Sequence, residues 1–427
     1  MKYLFKNAKI LDLDKGCFIE GSVEVVDNLI TQVGEVVEQS SYDRVIDCKG
    51  NILMPGFVDT HCHTPMSLLR SFKDDATFDE WFFDNIFPAE QNLTPEDIYF
   101  GQYLGIAESV RAGITTLEEG YFHNDRIYEA VDRSGIRARI GIGPTMRDVG
   151  MSNVEYLEKE ASVVPTTDRI KLNCFVHSIY TTNAQVIKES VEFTDIKNIP
   201  LSIHLAETKK EVEDSLNKYG KTPTEYLNDL DFFKKPCLCY HSVHMTDNDL
   251  HILKDNGASV STCPSSNIKL ASGIADIAKM LDFGINVTIG TDGVASNNSL
   301  DMFKEMFLVA TLSKVLVGKS DVVSSLDVLK MATVNGAKAL GYNTGEIKVG
   351  KNADIILIDI NSPHYYPSDN LLSHLVYAGK SSDVYFTMVD GKVLYDSGNY
   401  YIGEDINNIY AKVNDIRNRL KKTISNK

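Results

Sequence analysis

The stretch MPGFVDTHCH, residues 54–63, places a strand-like apolar run directly before two histidines that are one residue apart. Side chains at positions i and i+2 of a strand point to the same face. We therefore expect His61 and His63 to face one way and Cys62 the other. The chain contains ten histidines among 427 residues, so the pair alone is weak evidence for a metal site. A metal site would require further ligands at the ends of other strands.

The segments after this stretch alternate between strand-like apolar runs and helix-length amphipathic runs. One helix is expected over residues 94–113, where Thr94 can cap its start and Gly113 its end. Counting the run before His61, eight strand-like segments occur. The other seven are ITTLEEG (114–120), RARIGIGP (137–144), IKLNCFVHS (170–178), PLSIHLAE (200–207), CLCYHSV (237–243), ASVSTCP (258–264) and INVTIGTDG (285–293). Eight strand-helix units predict an α/β fold, a (β/α)8 TIM-type barrel.

The two chain ends have a different pattern from the centre. Residues 1–51 and 343–402 show short alternating strands separated by turns. Two small all-strand pieces cannot each bury a core alone, so we expect them to form one small flanking β-sandwich together. This division leaves residues 52–342 for the barrel and residues 403–427 for a C-terminal helix with a basic end.

Composition narrows the class of protein and of partner. A hydrophobic fraction of 43% and a charged fraction of 24% are typical of a globular protein, and no apolar run is long enough to span a membrane. The formal charge of −16 disfavours a nucleic-acid partner and favours a small-molecule substrate. Seven scattered cysteines and the lack of a signal-like N-terminus indicate a reduced, cytoplasmic protein. The pair Cys237 and Cys239 fits an apolar strand better than a metal site, and a homo-oligomer is compatible with the sequence.

Metal-ligand side chains gather at the ends of several predicted strands. In a parallel barrel the reactive groups sit at the carboxyl ends of the strands. The ends of the first, fifth, sixth and eighth strands carry His61, His63, His204, Glu207, His241, His244 and Asp292. Three imidazoles and a carboxylate suit Zn²⁺, and Fe²⁺ also fits. This joint occurrence predicts a divalent metal that ionises a bound water, with Glu207 as the proton carrier.

Four stretches carry a family resemblance, namely PGFVDTHCHTPMSLLRSF, HLAET, CPSSNIKLASGIA and GTDGVASNNSLDMFKEM. They resemble the amidohydrolase superfamily, in the branch of S-adenosylhomocysteine and 5-methylthioadenosine deaminases and triazine hydrolases. The resemblance implies a barrel with one metal bound by His61, His63, His204 and Asp292. Members with two metals bridge them with a carboxylated lysine at the end of the fourth strand. Here Lys171 lies near the start of that strand, which favours a single metal.

The resemblance also implies a reaction. Asp292, assisted by His241, takes a proton from the metal-bound water as hydroxide attacks the amino-bearing carbon of a purine nucleoside. Glu207 protonates the adjacent ring nitrogen, and ammonia leaves. The expected substrate is 5-methylthioadenosine, S-adenosylhomocysteine or another 5'-modified adenosine. The alternatives are a deaminase of guanine, cytosine or a pterin, and a triazine hydrolase. A catalytically silent binding scaffold would require missing ligands, and none is missing.

Four residues other than Arg147 are candidates for substrate contact. By resemblance, Glu90 binds the ribose hydroxyls, since a carboxylate can accept two hydrogen bonds from a vicinal diol; the alternative is a solvated loop acid. His177, at the end of the fourth strand, matches a purine-contacting position. Trp81, the only tryptophan, is expected either in the pocket wall or in the core, and His123 is expected at the mouth.

Homocysteine-binding members of the family clamp a carboxylate with arginines, because a guanidinium can donate two parallel hydrogen bonds. Arg147 matches one of these arginines, but the second position falls near Ile142. This difference disfavours S-adenosylhomocysteine relative to 5-methylthioadenosine. His244 does not share the strand face of His241, so a structural role is favoured for it.

Overall fold

The computed structural model describes residues 1–36, 41–77, 80–146 and 150–425. Its strands form two sheets of nine strands each. The N-terminal segment forms β1 (Lys2–Asp12), β2 (Cys17–Val26), β3 (Leu29–Gly34), β4 (Arg44–Asp47) and β5 (Ile52–Pro55). The central segment forms β6 (Phe57–His63), β7 (Ile114–Gly120), β8 (Arg137–Ile142), β9 (Ile170–Val176), β10 (Leu201–Leu205), β11 (Cys237–His241), β12 (Ser259–Thr262), β13 (Asn286–Ile289) and β14 (Asp292–Gly293). The C-terminal segment forms β15 (Ile355–Ile358), β16 (Val384–Val389), β17 (Lys392–Asp396) and β18 (Asn399–Tyr400).

Helices connect the central strands and extend to the C-terminus. They are α1 (Phe87–Glu90), α2 (Pro95–Arg111), α3 (Asn124–Ser134), α4 (Asn153–Ser162), α5 (Ala184–Lys197), α6 (Lys209–Tyr219), α7 (Pro223–Asp229), α8 (Asp247–Asp255), α9 (Pro264–Lys269), α10 (Ile277–Asp282), α11 (Val294–Asn297), α12 (Met302–Val317), α13 (Ser325–Met331), α14 (Val334–Leu340), α15 (Leu371–Tyr377) and α16 (Ile406–Ser425). Thr94 caps α2 as predicted, because its side chain accepts a hydrogen bond from the Asp97 amide. Within the described ranges, no helix combines the length and the apolar character needed to cross a membrane.

The central sheet is parallel and returns to its first strand. Its order is β13-β12-β11-β10-β9-β8-β7-β6-β14. Strand β14 follows β13 after two residues and pairs with β6, with Asp292 opposite Cys62. The Thr60 hydroxyl also donates to the Ile289 carbonyl at 2.9 Å, which links the first and eighth strands through the barrel interior. The predicted (β/α)8 barrel is confirmed, and β13 with β14 make up its eighth strand.

The second sheet combines both ends of the chain. Its order is β18-β17-β16-β15-β5-β1-β2-β3, and β4 pairs with β1. The rings of Phe5 and Phe386 meet edge to face at 5.6 Å in its core. As predicted, both chain ends build one flanking β domain beside the barrel.

The apolar run at residues 52–63 is divided between the two sheets. Strand β5 pairs parallel to β1 and antiparallel to β15, whereas β6 belongs to the barrel. The change of sheet falls at Gly56, where a Cβ atom would overlap the Thr115 side chain. Ile52–Pro55, assigned to the barrel on sequence grounds, therefore pairs in the flanking sheet.

A buried ion pair joins the neighbouring barrel strands β7 and β8. Arg139 on β8 donates from Nε and Nη2 to the two carboxylate oxygens of Glu118 on β7, at 2.5 and 3.0 Å. The two side chains are 2% and 1% exposed. The Tyr240 hydroxyl donates to the same carboxylate at 3.0 Å. Since both charges are removed from water, each depends on the other for stability.

Arg139→Met is expected to lower the free energy of unfolding by about 3–5 kcal/mol, because it leaves the Glu118 carboxylate buried without its cation. Urea titration of the wild type and the variant measures this difference. The matched control is the double variant Arg139→Met/Glu118→Gln, which removes both charges and should recover much of the loss. A single variant as stable as the double one would contradict the interpretation.

Candidate active site

The ends of β6 and β10 bring three imidazoles together. His61, His63 and His204 each offer a nitrogen, and these ligand atoms lie within 4.8 Å of one another. The Nδ1 atom of His63 is hydrogen-bonded to the Gly120 carbonyl. The Nδ1 atom of His204 lies 2.8 Å from the His177 carbonyl. Such bonds place the proton on Nδ1 and leave Nε2 free for a metal. Nε2 of His61 is buried and has no hydrogen-bond partner among the described residues.

Asp292 adds a carboxylate to the three imidazoles. Its Oδ1 atom lies 3.4 Å from Nε2 of His61 and 3.6 Å from Nε2 of His63. The Gly293 amide donates to Oδ1 at 2.6 Å, and the Ser296 hydroxyl donates to Oδ2 at 3.1 Å. Burial alone would raise the pKa of this carboxyl, but the contact with His61 and the other imidazoles hold it well below its usual range. An anionic oxygen beside three nitrogens is a donor set that fits a divalent metal such as zinc.

Glu207 and His241 stand beside this group. Oε2 of Glu207 lies 3.9 Å from Nε2 of His241. Nδ1 of His241 lies 2.8 Å from Oδ1 of Asn267, which directs Nε2 toward Glu207. Burial raises the pKa of Glu207, although His241 opposes the rise. The Glu207 backbone amide donates to the Glu211 carboxylate at 2.9 Å. The side chain of Glu211 therefore stabilises the turn that carries Glu207.

Two of the predicted substrate contacts lie close to the imidazoles. The Tyr121 hydroxyl donates to Oε1 of Glu90 at 2.6 Å, and the Tyr121 ring lies 6.3 Å from the His63 ring. Burial raises the pKa of Glu90 to about 7. The His177 ring lies 4.9 Å from the His204 ring. The structure therefore places Glu90 and His177 on the same side of the barrel as the predicted metal ligands.

Trp81 and His123, two further predicted substrate contacts, are placed differently. Trp81 is 7% exposed and packs in the apolar core beside Phe82, with ring centroids 6.0 Å apart. His123 precedes α3 with a φ of 62°, and its ring lies 5.5 Å from that of Phe122. Arg147 lies outside the described residues. For these three residues, contact with a substrate stays a prediction.

Two residues adjacent in sequence to the site make other contacts. Nε2 of His244 is 2.7 Å from the Ser272 carbonyl, so this side chain ties the loop after β11 to the loop after α9. The Cys62 thiol lies 3.3 Å from the Glu118 carbonyl. The Cys62 contact agrees with the expected strand alternation. His244 lies beyond the end of β11 at His241, where strand alternation no longer applies, so its structural role stays a prediction.

Sequence reasoning missed several residues that support the site. The Tyr240 ring stacks on His61 with centroids 3.8 Å apart. Asp59 accepts hydrogen bonds from the Thr291 amide at 2.9 Å and from its hydroxyl at 2.6 Å, which ties the first strand to the loop before Asp292. Asp59 precedes His61 by two residues on the same strand, so the alternation of side chains that puts His61 and His63 on one face could also have indicated Asp59. Asn267 and Tyr121 are marked by no comparable pattern.

Cys263 is a further residue close to the histidines. Its Sγ atom, one nitrogen of His61 and one of His241 lie within 4.8 Å of one another. Burial, with nearby carboxylates adding to the effect, raises the pKa of the Cys263 thiol well above its usual value. A protonated thiol is a poor metal ligand, so the group formed by three imidazoles and Asp292 is the better candidate centre.

The chain is similar to known proteins both in sequence and in structure. A family model described as the amidohydrolase family matches residues 52–394. The chain is 39% identical to a 5-methylthioadenosine/S-adenosylhomocysteine deaminase from Thermoanaerobacter pseudethanolicus over 93% of this chain and 94% of that protein. It is 40% identical to a 5'-deoxyadenosine deaminase from Methanosarcina acetivorans over 92% and 93% of the two chains. A crystal structure of an adenosine deaminase from Xanthomonas campestris with bound zinc is similar, with a TM-score of 0.93, 30% identity and 98% coverage of both chains.

Proposed function

The chain belongs to the amidohydrolase family of hydrolytic enzymes, and from that premise we propose that it is a metal-dependent deaminase of 5'-modified adenosines. The reaction would replace the exocyclic amino group of the purine by oxygen and release ammonia. The observation that carries the proposal is the position of Glu207 and His241, 3.9 Å apart, beside three imidazoles and a carboxylate. The named relatives at about 39% identity act on adenosine derivatives, which disfavours the triazine and other-base alternatives.

We propose Zn²⁺ as the metal, bound by His61, His63, His204 and Asp292. Zinc in the similar Xanthomonas campestris structure supports this choice, and Fe²⁺ would accept the same donors. When bound, the metal supplies an ionised water as a nucleophile near neutral pH. Hydrogen bonds at Nδ1 of His63 and His204 hold their rings in place for binding.

The protein's own acids and bases would move the protons. Asp292, assisted by His241, accepts the proton of the attacking water and passes it to the amino nitrogen, so that the C–N bond can break with ammonia as the leaving group. Glu207 donates a proton to the ring nitrogen next to the attacked carbon, so that negative charge does not build up in the ring. Its burial raises the pKa of the carboxyl, which favours the protonated form that a proton donor needs. His241 keeps one nitrogen directed toward Glu207 because Asn267 accepts from the other at 2.8 Å.

Substrate recognition is proposed for the residues around this centre. Glu90 would accept hydrogen bonds from the ribose diol, with one of its oxygens already held by Tyr121 at 2.6 Å. His177 would contact the purine, and Arg147 would bind a carboxylate on the 5' substituent. Trp81 is proposed for the wall of the pocket and His123 for its mouth.

An ammonia-release assay tests the substrate class. The panel contains 5-methylthioadenosine, 5'-deoxyadenosine, S-adenosylhomocysteine, adenosine, guanine, cytosine and a chlorotriazine. We expect turnover of the adenosines, with kcat/KM lower for S-adenosylhomocysteine because a second carboxylate-binding arginine is absent at Ile142. Turnover of guanine, cytosine or the triazine without any turnover of an adenosine would contradict the proposal.

We propose a cytoplasmic location, and a homo-oligomer is compatible with the sequence. All seven cysteines are free, and unpaired thiols are typical of a reducing compartment. Sedimentation velocity of the purified protein would measure its oligomeric state.

A further inference from the structure

The C-terminal helix α16 packs against α2 and against the segment that connects β6 to α2. Ile409, Ile416 and Leu420 form its buried stripe, at the spacing that places side chains on one helix face. The helix contacts α1, α2 and the 3-10 helix Thr64–Leu69. The 3-10 helix and α1 belong to the mouth segment, which we define as the described residues between His63 and Thr94, namely 64–77 and 80–93.

Arg417 binds the beginning of the mouth segment. Its Nη1 atom donates to the Leu68 carbonyl and its Nη2 atom to the Ser71 carbonyl, both at 3.1 Å. The guanidinium also lies over the Phe72 ring, 4.4 Å from its centroid. The Leu68 carbonyl lies at the C-terminal end of the 3-10 helix that starts directly after His63. Carbonyls at a helix end carry partial negative charge and are good partners for a cation.

Arg419 binds the other end of the same segment. Its Nη1 atom donates to the Asn92 carbonyl at 3.1 Å, and its Nη2 atom pairs with the Asp97 carboxylate. Asn92 follows Glu90 by two residues. Asp97 in turn accepts from the Thr94 amide at 2.7 Å in the cap of α2. Two arginines of one helix, two positions apart, therefore bind the two ends of a segment that contains Glu90.

We propose that α16 clamps the mouth segment, so that Arg417 and Arg419 are positioning residues for Glu90 and thereby for the substrate. The proposal rests on the proposed function, in which Glu90 binds the ribose. Among the described residues, the Glu90 carboxylate accepts one hydrogen bond, from the Tyr121 hydroxyl at 2.6 Å, and a small displacement of a binding group weakens its contacts. Glu207, His241 and the predicted metal ligands stand on barrel strands and turns, whereas the hydrogen bonds of the two arginines go to Leu68, Ser71, Asn92 and Asp97. Loss of the clamp should therefore change substrate binding and leave the chemical step intact.

The test compares Arg417→Ala/Arg419→Ala with the wild-type enzyme. We expect KM for 5-methylthioadenosine to rise about tenfold or more, which corresponds to about 1.4 kcal/mol of binding, with kcat and zinc content unchanged. Amide hydrogen exchange should accelerate in residues 64–77 and 80–93 and remain as in the wild type in the barrel strands. Arg417→Lys should have an intermediate effect, because an ammonium cannot reproduce the forked pair of hydrogen bonds. Lys422→Ala, an exposed change on the same helix, is the matched control and should change neither KM nor exchange.

Several outcomes would overturn the clamp. The first is that the mouth segment of the double variant exchanges its amide hydrogens as slowly as in the wild type. The second is that the double variant has a lower melting temperature but an unchanged KM, because that combination indicates a purely structural role for the arginines. A fall in kcat at unchanged KM would assign the helix to the chemical step instead. If the wild type releases no ammonia from any adenosine, the proposed function fails, whereas the exchange measurement still decides the clamp.

Discussion

Glu207→Gln is expected to reduce kcat by about 10²–10⁴-fold while the protein keeps its zinc. The amide has the shape of the acid but cannot donate a carboxyl proton to the purine nitrogen. Glu207 is 7% exposed, so bulk water has little access to replace it as the proton donor. Its carboxylate is not among the predicted ligands, so the metal should stay bound. Ammonia release under saturating 5-methylthioadenosine, with elemental analysis of the same sample, measures both quantities.

The matched control for this variant is Glu213→Gln on α6. Glu213 forms an exposed ion pair with Lys209 at 3.3 Å, and exposed pairs contribute little to stability. The control should retain wild-type turnover and zinc. A Glu207→Gln enzyme that turns over within a few-fold of the wild type would show that another group delivers the proton.

Removal of the metal is expected to reduce turnover to the background rate, and added Zn²⁺ should restore it. Without the metal the attacking group is ordinary water, which has a pKa near 15.7 and is about 10⁸-fold less ionised near neutral pH than water on a catalytic zinc. Dialysis against a chelator, followed by ammonia release before and after zinc addition, measures the effect. Asp292→Asn should show the same loss without chelation, because a neutral amide oxygen replaces the anionic donor.

Asp282→Asn provides the control for the Asp292 variant. Asp282 is an exposed acid at the end of α10, so the same chemical change there should leave zinc content and turnover unchanged. Full activity in a chelated sample in which elemental analysis detects no zinc or iron would contradict the metal proposal. Stoichiometric zinc in Asp292→Asn would remove Asp292 from the predicted ligand set.

The amino-acid sequence by itself determined the barrel and the residues at its strand ends. Strand periodicity is a local property, so the positions of His61, His63 and His204 on their strands could be predicted before any contact was known. The cap of α2 at Thr94 is equally local, because its donor lies three residues further along the chain. The division of the run at residues 52–63 between two sheets was not predicted, since Ile52–Pro55 is as apolar as a barrel strand.

Only the tertiary structure decided which side chains support the reactive ones. Asn267 reaches His241 from 26 positions away, and Tyr121 reaches Glu90 from 31. Arg417 and the Leu68 carbonyl are separated by 349 positions. No periodicity links residues so far apart, because their contact depends on how the strands, loops and terminal helix pack once the barrel has closed. The strand pattern therefore identifies the reactive groups, whereas packing across the whole chain determines how they are held.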